Sequence, residues 1–128
     1  MDTQSIGKLI VRVMVGGLLL FHGIDKIMHG IGYIEGMMTV QGLPTYMALC
    51  VYIGEVLAPF LLLLGWRSRW WAAIVAFNMA VAIYLVHSKS LFALGTHGSW
   101  SLESPMFFFL GALAIVFLGS GKYAISKD

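Results

Sequence analysis

Four apolar runs, each close to the ~20 residues an α-helix needs to cross ~30 Å of hydrocarbon, divide this chain between polar interruptions. They fall at residues 5–26, 44–66, 70–87 and 105–120. A backbone in lipid must satisfy its own N–H and C=O groups, so runs of this kind are expected to be helices. Composition points the same way: 59% of the residues are hydrophobic, only 11% are charged, and mean hydropathy is +0.87, too apolar for a water-facing shell around one core. The expected fold is all-α, a single transmembrane domain over residues 1–128 arranged as a four-helix bundle.

Local signals mark the ends of the runs. Pro44 and Pro105 suit a first helical turn, where the missing N–H costs nothing, Ser104 suits a cap, and Gly119 and Gly121 close the fourth run. Lys8, Arg12, Arg67, Arg69, Lys122 and Lys127 fall on one side of the alternating spans, and Lys26 and Lys89 on the other. That asymmetry predicts a multi-pass membrane protein with both termini cytoplasmic. Trp66, Trp70 and Trp71 form an aromatic belt around the Arg67/Arg69 turn on the cytoplasmic side. The first run lacks a separate charged leader and contains Arg12 and His22, so no cleaved signal peptide is expected. Across the membrane, residues 30–43 place Tyr33, Ile34, Met37, Met38 and Val40 at helical spacing, which predicts a short interfacial helix. The second outer connection, 88–104, holds His97, Trp100 and Glu103, of which His97 and Glu103 are weak site candidates.

Polar residues inside the spans are the candidate site. Glu55 stands in the apolar stretch 46–64, and a carboxylate at bilayer depth costs at least ~3 kcal/mol on insertion scales, so it needs a partner or a function. Counting ~1.5 Å per residue from the cytoplasmic boundary puts Arg12 at roughly 10 Å, Asn78 at roughly 12 Å and Glu55 at roughly 15 Å. One reading is a clamp, Arg12 on Glu55 with Asn78 assisting, that fixes helix register. The other is a ligand site for a quinone headgroup or a proton. Nearer the outer face, His22, Asp25, Lys26 and His29 share a stripe of the first span, and His87 closes the third at a similar depth. His22 and His87 are therefore further ligand candidates, with haem ligation disfavoured because the faces of the two spans are not shown to meet. Lys26 is expected to snorkel outward. The methionines Met28, Met37, Met38 and Met47 read as gap-filling residues, and no metal is expected. Lone Cys50 excludes an internal disulfide and any CxxC chemistry. Small residues at Gly54/Ala58, Ala72/Ala76/Ala80, Gly16–Gly17 and Gly111–Ala112 allow helices to touch, and a homo-oligomer is one use of such faces. No nucleic-acid partner is expected.

Several of these pieces occur together in a known order. The run from Arg12 through Gly16-Gly17 and Phe21-His22-Gly23 to Lys26, then Gly42-Leu43-Pro44, Gly54-Glu55-Val56-Leu57-Ala58, Leu64-Gly65-Trp66-Arg67-Ser68-Arg69 and the closing Gly119-Ser120-Gly121-Lys122-Tyr123 resemble the DoxX family of small four-helix bacterial membrane proteins, which more often have Pro where Ser120 stands. The resemblance implies a multi-pass four-helix bundle of the bacterial inner membrane and, for several relatives, a role as a membrane subunit in redox systems. One branch is associated with thiosulfate:quinone oxidoreduction, another with a complex of a sulfurtransferase and a superoxide dismutase in oxidative-stress defence. It places Arg12, His22, Lys26 and Glu55 at the family's recurrent polar positions. Three functions stay open: a quinone-linked redox subunit, a non-catalytic anchor for a soluble oxidoreductase or sulfurtransferase, and a proton-coupled transporter. Whether this chain itself is an enzyme is equally open, since it carries no thiol pair for sulfur chemistry.

Overall fold

In the computed structural model, residues 2–87 and 102–126 are described, except for the side chains of Val86 and His87. Those residues are overwhelmingly helical, and no strand occurs among them. The helices are α1 (Thr3–His29), α2 (Gly32–Val40), α3 (Thr45–Leu64), α4 (Ser68–His87) and α5 (Glu103–Leu118). α1, α3 and α4 are long and apolar enough to cross a membrane, and α5 is a shorter apolar helix. Residues His97 and Trp100, with Lys89 and Lys127, lie outside the described residues.

Caps set these limits. Asp2 caps α1, accepting from the Gln4 N–H at 3.1 Å and the Ser5 hydroxyl at 3.0 Å. The Ser5 hydroxyl, with the Gln4 N–H and the charge of Lys122, holds the Asp2 carboxyl below the usual carboxylate range. Gly30, at φ 82, ends α1 and turns the chain into α2. Ser104, expected as a cap, lies inside α5, whose N-cap is Leu102. Pro105 sits in that helix's first turn, where a missing N–H is tolerated.

α3 is not uniform. A 3-10 segment, Thr45–Leu49, leads through Cys50–Tyr52 into a π-helical turn, Ile53–Leu57, and then the α-helical Ala58–Leu64. Pro59 accounts for the π turn: in a regular α-helix its N–H would bond the carbonyl of Glu55, and proline has neither that hydrogen nor room for that oxygen. The Ala58 N–H reaches back five residues to the Ile53 carbonyl instead.

The bundle is a ring in which α1 touches α3 and α5, and α4 touches α3 and α5. Close approaches give the antiparallel register. Gly16 faces the Pro59 carbonyl and Leu62, Gly23 faces the Glu55 carbonyl, Gly54 faces Asn78, and Gly111 faces Val15. Val15, Leu19, Ala58, Leu62, Ala72, Val75, Ala76, Met79, Ala112 and Ile115 form the main core. A second cluster, Ile31, Met38, Ala48 and Leu85, packs α2 onto the start of α3 and the end of α4. Outward, the helices expose Ile10, Leu18, Phe21, Phe60, Phe77, Phe107 and Phe117, the distribution expected where the surrounding solvent is lipid.

The glycines separate two effects. A Cβ at Gly23 would collide with the Glu55 carbonyl, whereas one at Gly36 in α2 meets open space. Gly23→Ala should lower resistance to denaturation in mixed micelles by about 1–3 kcal/mol. Gly36→Ala should raise it by about 0.5–1 kcal/mol, through helix propensity alone.

Candidate functional site

The carboxylate expected to be clamped by Arg12 is paired with Lys26. The Lys26 Nζ lies 2.9 Å from Glu55 Oε1, with Glu55 buried and Lys26 largely so. Gly23 permits this: with no side chain there, α1 packs directly on the backbone of the π turn, and Lys26, three residues on, stands over the carboxylate. Lys26 therefore reaches inward rather than snorkelling to the outer surface. A partly buried ammonium beside a carboxylate removes most of the cost of either alone. The Tyr52 hydroxyl donates to the Lys26 carbonyl at 3.3 Å, tying the beginning of α3 to the end of α1. Asn78 of α4 is half-buried against Gly54, the residue before Glu55.

Beside this pair runs an apolar groove of about 440 Å³, lined by Ile27, Tyr52, Ile53, Val56, Leu57 and Phe60. Its walls are the neighbours of Lys26 and Glu55 on their own helices. The groove is thus an apolar slot in which the Tyr52 phenol is the polar group, with Lys26 and Glu55 next to it along the chain but not in its lining. Tyr52 was not singled out in the sequence, although its place three residues before Glu55, on the same stretch of helix, was the available signal.

Arg12 belongs to the other end of the bundle. Wholly buried, it donates through Nη1 to the Leu62 carbonyl at 3.3 Å and through Nη2 to the Tyr123 carbonyl. Its Nε is buried without a partner among the described residues. Gly65, in the left-handed conformation at φ 77, lies against the guanidinium, leaving no room for a side chain. The chain after α5 completes the contact: the N–H groups of Ile125 and Ser126 donate to the carbonyls of Leu64 and Gly65. The Ser120 hydroxyl, 2.5 Å from that of Ser68, also donates to Gly65. Depth counting placed Arg12 and Glu55 at one level, yet the residues of α1 that meet Glu55, Gly23 and Lys26, lie 11 to 14 residues beyond Arg12, roughly 16–21 Å of helix.

His22 does not join the pair. His22 is exposed on the α1–α5 side, its ring edge-on to Phe108 with centroids 5.5 Å apart. The backbone of His87 ends α4 at the Lys26 end of the bundle, and its side chain lies outside the described residues. His29 Nδ1 lies 3.0 Å from Asp25 on exposed α1 surface. Among the described residues no group of His, Cys, Asp and Glu is arranged to hold a metal ion. Glu103 is exposed in the first turn of α5.

Apolar helices that face outward, with ionisable side chains paired inside, define a small α-helical membrane protein. Residues 7–88, from α1 to the end of α4, match the model of the DoxX family, and the chain belongs to that family. No curated protein and no solved structure matches it.

Because Arg12 bonds carbonyls of two segments, a single-point cation should not replace it. Arg12→Lys should cost about 1.5–3 kcal/mol of stability in mixed micelles, the value of one charged hydrogen bond, and Arg12→Gln more. Unfolding followed by circular dichroism reads both.

Proposed function

We propose that this chain is a four-span protein of the bacterial inner membrane, one domain over residues 1–128 with both termini cytoplasmic, that binds a quinone at the Lys26–Glu55 pair. The observation that carries the reading is the apolar groove beside that pair. A quinone is an apolar ring and tail with carbonyl oxygens at its head. The groove suits the apolar part, the Lys26 ammonium is a donor for a carbonyl, and the Glu55 carboxylate can take or supply a proton when the quinone is reduced or the quinol oxidised. Asn78, against Gly54, adds an amide at the same level. His22 and His87 belong to the outer rim of this reading, as groups that relay protons between the site and water. Arg12 supports the site from a distance by holding the bundle closed.

The electrons in this scheme come from or go to a soluble redox partner, since this chain has no dithiol of its own. The family match supports a DoxX membrane protein, and the redox role is the functional proposal built upon it. A transporter reading is less well supported, because a proton-exchanging carboxylate works best without a fixed counter-ion, and Glu55 has one in Lys26.

The test is an oxidised-minus-reduced ultraviolet spectrum of the protein purified in mild detergent with its lipids, followed by titration with a short-chain quinone. A quinone band should be present in the wild type, and Glu55→Gln and Lys26→Gln should each weaken quinone binding roughly tenfold or more while the helical spectrum is retained. A flat difference spectrum with no binding in the titration would sink the proposal and leave membrane anchorage of a soluble enzyme as the better account.

A further inference from the structure

The end of the bundle opposite the Lys26–Glu55 pair carries a second cleft, of about 430 Å³, lined by Trp66, Arg67, Trp70 and Trp71. Arg67 holds a left-handed backbone, φ 47, which a residue with a side chain adopts only under strain. Its guanidinium lies over the Trp66 ring, 5.4 Å from the centroid. The rings of Trp66 and Trp71 are 6.4 Å apart, and the Trp71 Nε1 is buried with no hydrogen-bond partner among the described residues. α4 begins at Ser68, so the positive end of its dipole opens at the same place.

The surroundings are cationic. The Arg69 guanidinium packs against Gly119, Lys8 packs against Gly121, and Lys122 is close enough for Asp2 to feel its charge. Among the described residues, Asp2 is the one carboxylate at this end, and it is committed to Ser5 and Gln4. Neither Arg67 nor Arg69 has a carboxylate within ion-pair distance among the described residues.

We propose that this cleft binds the headgroup of an anionic phospholipid, with Arg67 on the phosphate, Arg69 adding to the local positive field, and Trp66 and Trp70 against the glycerol and upper acyl chains. A guanidinium offers a planar fork of donors that matches phosphate oxygens. Indole rings settle where acyl chain gives way to headgroup, and Trp70 in particular is exposed at this boundary, 63% accessible. An acidic protein surface would satisfy the cations equally but has no use for exposed indoles that flank them. The lipid satisfies both.

Indole fluorescence tests this directly, because three of the chain's four tryptophans line the cleft. The full-length protein is reconstituted in phosphatidylcholine vesicles that contain a small equal fraction of either brominated phosphatidylglycerol or brominated phosphatidylcholine, since bromine quenches an indole it touches. Brominated phosphatidylglycerol should quench more strongly, with a preference of roughly fivefold for each arginine engaged. Arg67→Gly should cut that preference about fivefold while melting no lower than the wild type in pure phosphatidylcholine, because glycine relieves the positive φ. Equal quenching by the two lipids in the wild type, or a preference that Arg67→Gly leaves undiminished, overturns the site. Millimolar inorganic phosphate is the second arm: a preference it abolishes would belong to free anions and overturn the lipid assignment, and one it leaves intact supports it.

Discussion

The bundle depends on one cation bonded to the ends of other segments. When a helix ends in or near lipid, its last carbonyls have no water to accept from, and each must be given a donor by the protein. At the end of α3, the N–H groups of Gly65 and Trp66 take the Leu61 and Leu62 carbonyls. Arg12 adds a second donor to Leu62, and the chain beyond α5 supplies Leu64 and Gly65 with the donors of Ile125, Ser126 and Ser120. The guanidinium needs no carboxylate here, because the negative end of the α3 dipole and the Tyr123 carbonyl share its charge. Three distant parts of the chain, near residues 12, 62 and 123, are thus fastened at one point.

That arrangement also explains what could be read from the sequence and what could not. The helices are legible because the requirement for satisfied backbone groups leaves an apolar run of ~20 residues little alternative. The runs expected at 5–26, 44–66, 70–87 and 105–120 appear as Thr3–His29, Thr45–Leu64, Ser68–His87 and Glu103–Leu118, displaced by no more than three residues at any end. The spacing of Tyr33, Ile34, Met37 and Met38 likewise marks α2. The pairing of charges was not legible. Depth counting assumed a uniform rise from one flat boundary, yet α3 contains 3-10 and π segments whose rise differs from that of an α-helix, and α1 is 27 residues long. A second assumption, that an arginine inside the membrane seeks a carboxylate, overlooked backbone carbonyls as acceptors. The long stem of Lys26 is equally able to extend toward water or fold back on Glu55, and sequence alone does not choose.

Uncharged residues make that choice. Pro59 has no hydrogen for the Glu55 carbonyl, so α3 opens into a π turn around it. Gly23 brings α1 against the turn so closely that only a glycine fits, and Lys26, three residues further along, is then held above the carboxylate. The ion pair is the product of a proline and a glycine that carry no charge and would attract little notice as site residues. The same departure from regular helix sets how Ile53, Val56 and Leu57 face the groove, so the shape of the apolar slot and the position of the ion pair share one cause.

Among the described residues, the two ends of the bundle are held by different kinds of contact. At the Arg12 end, carbonyls, hydroxyls and N–H groups from α1, α3, α4 and the chain after α5 interlock. At the Lys26 end, among the described residues, an ion pair, a phenol hydrogen bond and the close approach of Gly23 join α1 to an irregular stretch of α3 with an exposed groove alongside. Local opening is cheapest where buried contacts are few and helical bonding is irregular. By that measure the π turn of α3, whose hydrogen bonding departs from the regular pattern, opens more cheaply than the regular helix Ala58–Leu64 that follows it.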